Sequence, residues 1–145
     1  MKILVIGGAG FIGSHLCEAY SGDHEVTSID NYISGKTDNH IDHVEYINLD
    51  AENILSLNKK FDIIFHLGEY SRVEQSLTKI DFVLENNISP TLNVLKFAKK
   101  SNAKLIYAGS STKFADDGKN KLKSPYSFSK WQNSELVKFY CELNQ

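Results

Sequence analysis

The opening stretch, "KILVIGGAGFIGSHL", limits what this chain can fold into more than any other part of it. Residues 2–6 form a short apolar, β-branched run of the kind found in a buried strand. Gly7, Gly10 and Gly13 follow at the spacing G-x-x-G-x-x-G, and a segment with helical periodicity, Phe11 to Tyr20, comes next. A strand that turns at once into a helix through such a loop needs backbone without side chains. The turn is sharp, the helix packs close to the strand, and the loop's N–H groups are left free to approach a diphosphate.

The rest of the chain repeats the same rhythm. "KILVI", "EVTSI", "VEYIN", "DIIFHL" and "KLIYA" read as five strands, each bounded by Gly, Asn, Asp or Ser. Between them lie helical segments: Phe11 to Tyr20, a short one near Ala51 to Leu57, and a long one whose Leu84, Ile88, Leu92 and Leu95 share a face. Strand–helix alternation predicts right-handed crossovers and a mostly parallel sheet covered on both sides, the doubly wound α/β class. Pro90 predicts a kink or break in the long helix, because an interior proline removes a hydrogen bond. A last helix, roughly Tyr126 to Leu143, starts after Ser124 and Pro125, a cap followed by a first-turn proline. Trp131, Leu136, Tyr140 and Leu143 are expected on its core side. "ADDGKNKLK" reads as a solvated loop.

Composition narrows the class further. At 145 residues and 41% hydrophobic content the chain suits one core. Its 16 basic and 18 acidic residues leave a formal charge of -2, with no basic run dense enough to make nucleic acid or an anionic membrane the main partner. No membrane-spanning segment is evident. Two cysteines, Cys17 and Cys141, exclude a disulfide framework, read as buried thiols and predict a cytoplasmic location. His40, Asp42 and His43 lack the further ligands a metal site needs, so no metal is expected. His66, at a strand end, reads as packed or hydrogen-bonded.

Asp30 ends the second strand, 17 residues after Gly13. An acid there accepts both ribose hydroxyl protons and repels a 2'-phosphate; with no arginine beside it, the pattern predicts NAD in preference to NADP.

With "GGAGFIGSHL", "IDN", "HL", "SS" and "SPYSFSK" in this order, the chain resembles the extended short-chain dehydrogenase/reductase family, specifically its NAD-dependent nucleotide-sugar epimerases and dehydratases. The resemblance implies a Rossmann fold over residues 1–145, cut off before its last strands and the C-terminal domain that holds the nucleotide-sugar. The chain thus looks like an N-terminal fragment or a naturally shortened relative. By the same resemblance Gly7, Gly10, Phe11, Ile12 and Gly13 match the diphosphate loop, and Asp30 and Asn31 the adenosine ribose pair. Asp50 and Ala51 fall near the adenine, Leu67 and Gly68 beside the cofactor, and Asn87 near the nicotinamide ribose. Ser71 stands where some epimerases carry a cofactor-touching lysine, with Arg72 next to it. Glu69 and Tyr70 are larger than the residues the family usually places there.

The resemblance also assigns Ser110, Tyr126 and Lys130 as catalytic, with Tyr126 and Lys130 holding cofactor as well. Tyr126 and Lys130 are four residues apart, so on a helix they share a face. A phenol ordinarily titrates near 10, and a neighbouring ammonium favours its phenolate. In the implied chemistry Tyr126 takes a proton from a sugar hydroxyl, Ser110 hydrogen-bonds the same oxygen, and Lys130 holds the nicotinamide ribose. Ser111 and Thr112 stand where 4,6-dehydratases carry Asp and Glu, which disfavours dehydration. The implied function is a 4-epimerase type of enzyme on a UDP- or dTDP-sugar, a homodimer when full-length. A non-catalytic NAD-binding module or degenerate fragment, and less readily a nucleotide-sugar 4,6-dehydratase or reductase, are the alternatives.

Overall fold

The structure is a computed structural model and describes residues 1–144. All five expected strands form: β1 (Lys2–Ile6), β2 (Glu25–Asp30), β3 (Glu45–Asn48), β4 (Ile63–His66) and β5 (Lys104–Tyr107). They make one parallel sheet in the order β3-β2-β1-β4-β5, with Ile3 of β1 level with Val26 of β2 and Ile63 of β4. The order reverses at β1, so the loops after β1 and β4 diverge and open a crevice between them, where ligands of open α/β sheets bind.

Alternation along β1 explains why both faces are covered. Leu4 and Ile6 point to one side with Ile29, Ile54, Ile64, Val94 and Phe97; Ile3 and Val5 point to the other with Cys17, Val26 and Phe65. The first face is covered by α3 (Ile80–Ser101) and by 3₁₀ turns over Ala51–Ser56, where a short helical segment was expected. The second is covered by α1 (Phe11–Ser21). The remaining helices are α2 (Val73–Ser76), a single turn with no periodic signal in the sequence, and α4 (Pro125–Leu143).

Four details differ from the sequence expectations. First, α3 runs through Pro90 without a break. The turn beside the proline is held by a side chain: the Asn87 carbonyl accepts from Asn133 Nδ2 at 2.7 Å. Second, α3 buries Val83, Asn87, Pro90, Thr91, Val94, Leu95, Phe97 and Ala98; of the expected stripe Leu95 is buried, Leu84 and Ile88 are half-buried and Leu92 is exposed. Buried hydrogen bonds rotate the helix toward its polar residues. Third, the buried residues of α4 are Ser127, Ser129, Lys130 and Asn133; Trp131, Leu136 and Tyr140 are half-buried and Leu143 is exposed. Fourth, Cys17 is buried but Cys141 is exposed. Burial pushes the Cys17 thiol up to about 11, which keeps it protonated and inert.

Candidate active site

The crevice at the C-terminal ends of β1 and β4 is a cleft of about 400 Å³, within the range of small-molecule sites. Its first wall is the glycine loop. Gly7 has φ +87°, a conformation that disfavours side chains, and its N–H donates to the Ile29 carbonyl at 2.8 Å. A Cβ on Gly13 would lie 2.1 Å from the Gly7 oxygen. These two glycines therefore let α1 start directly against the strand. Gly10 caps α1 without any side-chain hydrogen bond, which leaves first-turn N–H groups free to face an anion.

The floor and far wall come from β2 and the segment after it. Asp30 lines the cleft, and its carboxylate accepts from the Ala9 N–H at 3.0 Å and the Tyr32 N–H at 2.8 Å. Those bonds fix the carboxylate next to the glycine loop. Asn31 lines the cleft too and donates to Asp50 Oδ2 at 2.7 Å. Asp50 itself does not reach the cleft: its other oxygen caps the following turn by accepting from the Glu52 N–H. Ala51 does line it.

Of the other expected cofactor residues, Phe11, Ile12, Leu67 and Gly68 border the cleft together with the glycine loop. Asn87 does not. It is fully buried, accepting from the Tyr70 N–H at 2.7 Å and donating to Ser129 Oγ at 2.9 Å, while its neighbour Asn86 lines the cleft instead. Asn87 thus fastens the segment after β4 to α4. Ser71 and Arg72 also face the cleft.

At the near end stand Tyr126 and Lys130, which both line the cleft from the first turns of α4. Ser124 caps that helix by accepting from the Ser127 N–H at 3.1 Å. Ser76 of α2 accepts from the Tyr126 N–H at 3.4 Å, so the unforeseen single turn helps seat the tyrosine. Ser110 lies one residue beyond the lining Ala108 and Gly109 and caps the next turn, its oxygen accepting from the Thr112 N–H at 3.3 Å. The structure thus brings Tyr126 and Lys130 to one cleft with the glycine loop and Asp30, with Ser110 at its margin.

The sequence did not foresee what lies behind Lys130. Its ammonium donates to the Ala108 carbonyl at 2.7 Å and pairs with Glu69 Oε2 at 2.8 Å; both side chains are almost fully buried. Glu69 also accepts from Thr91 Oγ1 (2.7 Å), Asn133 Nδ2 (3.0 Å) and the Tyr107 hydroxyl (3.1 Å). His66 completes the cluster, with Nε2 3.0 Å from Thr91 Oγ1. Since the single Thr91 proton is drawn to the Glu69 carboxylate, His66 Nε2–H is the donor to Thr91. Burial drives the His66 imidazole down to about 4, against an opposing pull from Glu69, so the ring is neutral. Burial, reinforced by the charge of Glu69, pushes the Tyr107 phenol far above its ordinary range. The one signal for this cluster was Glu69 itself, an acid just after an apolar strand that must find partners if buried.

No helix among the described residues is long and apolar enough to cross a membrane. His40 stacks on Tyr46 and contacts the Tyr32 hydroxyl at 3.0 Å.

Comparison with known proteins agrees with this geometry. Residues 3–145 match the sequence model of the NAD dependent epimerase/dehydratase family. A UDP-N-acetyl-alpha-D-glucosaminuronate decarboxylase of Bacillus cytotoxicus is 35% identical over 117 residues, covering 76% of this chain and 36% of that protein. The structure of a UDP-galactose 4-epimerase superposes with a TM-score of 0.88 at 31% identity, covering 99% of this chain and 52% of that one. The Bordetella bronchiseptica enzyme WbmF in complex with NAD+ superposes with a TM-score of 0.85 at 28% identity, covering 99% of this chain and 46% of that one. The chain spans about a third to half the length of these relatives. With its parallel sheet, its side-chain-free loop at the β1 crevice and the match over residues 3–145, the chain belongs to the NAD-dependent epimerase/dehydratase family.

Proposed function

We propose that these 145 residues are the cofactor-binding part of a nucleotide-sugar 4-epimerase acting on a UDP- or dTDP-sugar, a homodimer when full-length. The observation that carries the reading is the convergence of Tyr126 and Lys130 with the glycine loop and Asp30 on one cleft. The cradle fits NAD: Gly7 and Gly13 leave no room for a Cβ, and no side chain caps the first turn of α1, whose N–H groups would hold the diphosphate. Asp30 would hold the adenosine ribose, and Lys130 the nicotinamide ribose.

When bound, NAD supplies the hydride acceptor and, in the return step, the donor. The residues supply orientation and proton transfer. Tyr126 would take the proton from the sugar hydroxyl at the carbon being oxidised. Ser110 donates a hydrogen bond to that oxygen; its hydroxyl is free to do so when Thr112 Oγ1, 3.0 Å away, donates to it. Reversible oxidation at that carbon would invert the centre with no net redox change. Ser111 and Thr112, which begin the turn after Ser110, lack the acidity to expel a hydroxyl, which supports epimerisation over dehydration.

The test is turnover of UDP- and dTDP-sugars by the complete gene product, with Tyr126→Phe beside it. Loss of at least 100-fold in kcat is expected; unchanged turnover on the true substrate would refute the mechanism.

A further inference from the structure

The geometry points to Glu69 as the positioning residue for Lys130: its buried carboxylate clamps the ammonium so that one N–H is directed to the ligand. This rests on the NAD-binding reading above. An ammonium has three N–H donors. In Lys130 one goes to the Ala108 carbonyl at 2.7 Å and one to Glu69 Oε2 at 2.8 Å. The third is left for the cleft that Lys130 lines. Glu69 is held in turn by Thr91, Asn133 and Tyr107, which with Lys130 fill the acceptor sites of a carboxylate. The clamp is therefore anchored to α3, α4 and β5 at once.

The charge matters as much as the geometry. A buried lysine without a counter-ion sheds its proton readily, because burial disfavours the charged form. Glu69 is the acid within reach: β4 contributes neutral His66, 3.7 Å from Glu69, and β5 contributes Tyr107. On α3 Asn87 and Thr91 are uncharged, and α4 contributes Asn133 and Tyr126 besides Lys130 itself. Glu69 thus supplies the buried countercharge of Lys130 and aims it.

The experiment measures thermal midpoint and NAD affinity between pH 6 and 9.5 for the wild-type chain, Glu69→Gln, Lys130→Met and the double variant. Each single variant strands one buried charge and is expected to lose roughly 10 °C; the double variant, with neither charge, recovers most of it. If a single variant does not fold, recovery by the double variant supports the clamp in its place. Glu69→Gln is expected to bind NAD at least tenfold more weakly, with affinity falling more steeply as pH rises than it does in the wild type. Damaged packing would weaken binding equally at all pH values, and that result overturns the positioning role. Additive losses of stability, or a Glu69→Gln variant with wild-type affinity and pH profile, would overturn it too. Failure of the wild type to bind NAD would instead sink the cofactor reading, while the stability cycle still judges the clamp.

Discussion

Two alanine substitutions in the glycine loop should separate folding from ligand binding. A Cβ on Gly13 meets the Gly7 oxygen at 2.1 Å, the Gly8 Cα at 2.7 Å and the Gly7 carbonyl carbon at 2.8 Å. All three are backbone atoms, so no side chain can swing aside, and the start of α1 must move by roughly 1 Å to restore ordinary contact. Overpacking of this kind costs about 3 kcal/mol or more. The gain in helix propensity from Gly to Ala returns only about 1 kcal/mol. Sterics win, and Gly13→Ala should lower the thermal midpoint by roughly 5–10 °C. Gly10 differs. Its φ of −81° suits any residue, and its Cβ would have only the Gly7 oxygen near it, at 3.3 Å. Gly10→Ala should therefore keep its midpoint within about 2 °C of wild type. Its methyl group should nevertheless weaken NAD binding at least tenfold by holding the diphosphate off the loop. Calorimetric melting and NAD titration of the two variants test this. Equal destabilisation by both would refute the steric account of the loop, and a Gly10→Ala chain with unaltered NAD affinity would refute its proposed ligand.

Two further outcomes follow from the same structure. His66 is neutral and buried, with its imidazole lowered from 6.5 to about 4, so the unfolded chain takes up its proton first as pH falls. The contribution is complete above pH 6.5 and is lost toward pH 4, about 3 kcal/mol in all; urea melts should show a shallower acid slope for His66→Gln, and identical slopes would refute it. Ser124→Ala removes the α4 cap and should cost about 1 kcal/mol in the same melts; no loss would mean that the cap is replaced by other contacts.

The elements carrying this fold were legible because their signals are local. Strand runs, the glycine spacing, Asp30 at the end of β2 and the Ser124–Pro125 start of α4 all appear where the sequence indicates. Tyr126 and Lys130 could be placed on one helical face from spacing alone, and both line the cleft. Leu92 and Leu143 were misread for the converse reason. Apolar periodicity cannot show that the facing helices would bury Asn87, Thr91 and Asn133 in a shared hydrogen-bond network.

By itself, then, the sequence determined the alternation of strands and helices, the side-chain-free loop and the positions of the reactive residues, because each depends on neighbours a few residues away. The tertiary structure alone decided what those residues touch. Glu69 meets Lys130 only because β4 and β5 are adjacent and parallel and α4 packs against α3. A buried charge takes its partner from whatever the fold brings within about 3 Å, and no spacing along the chain encodes that distance.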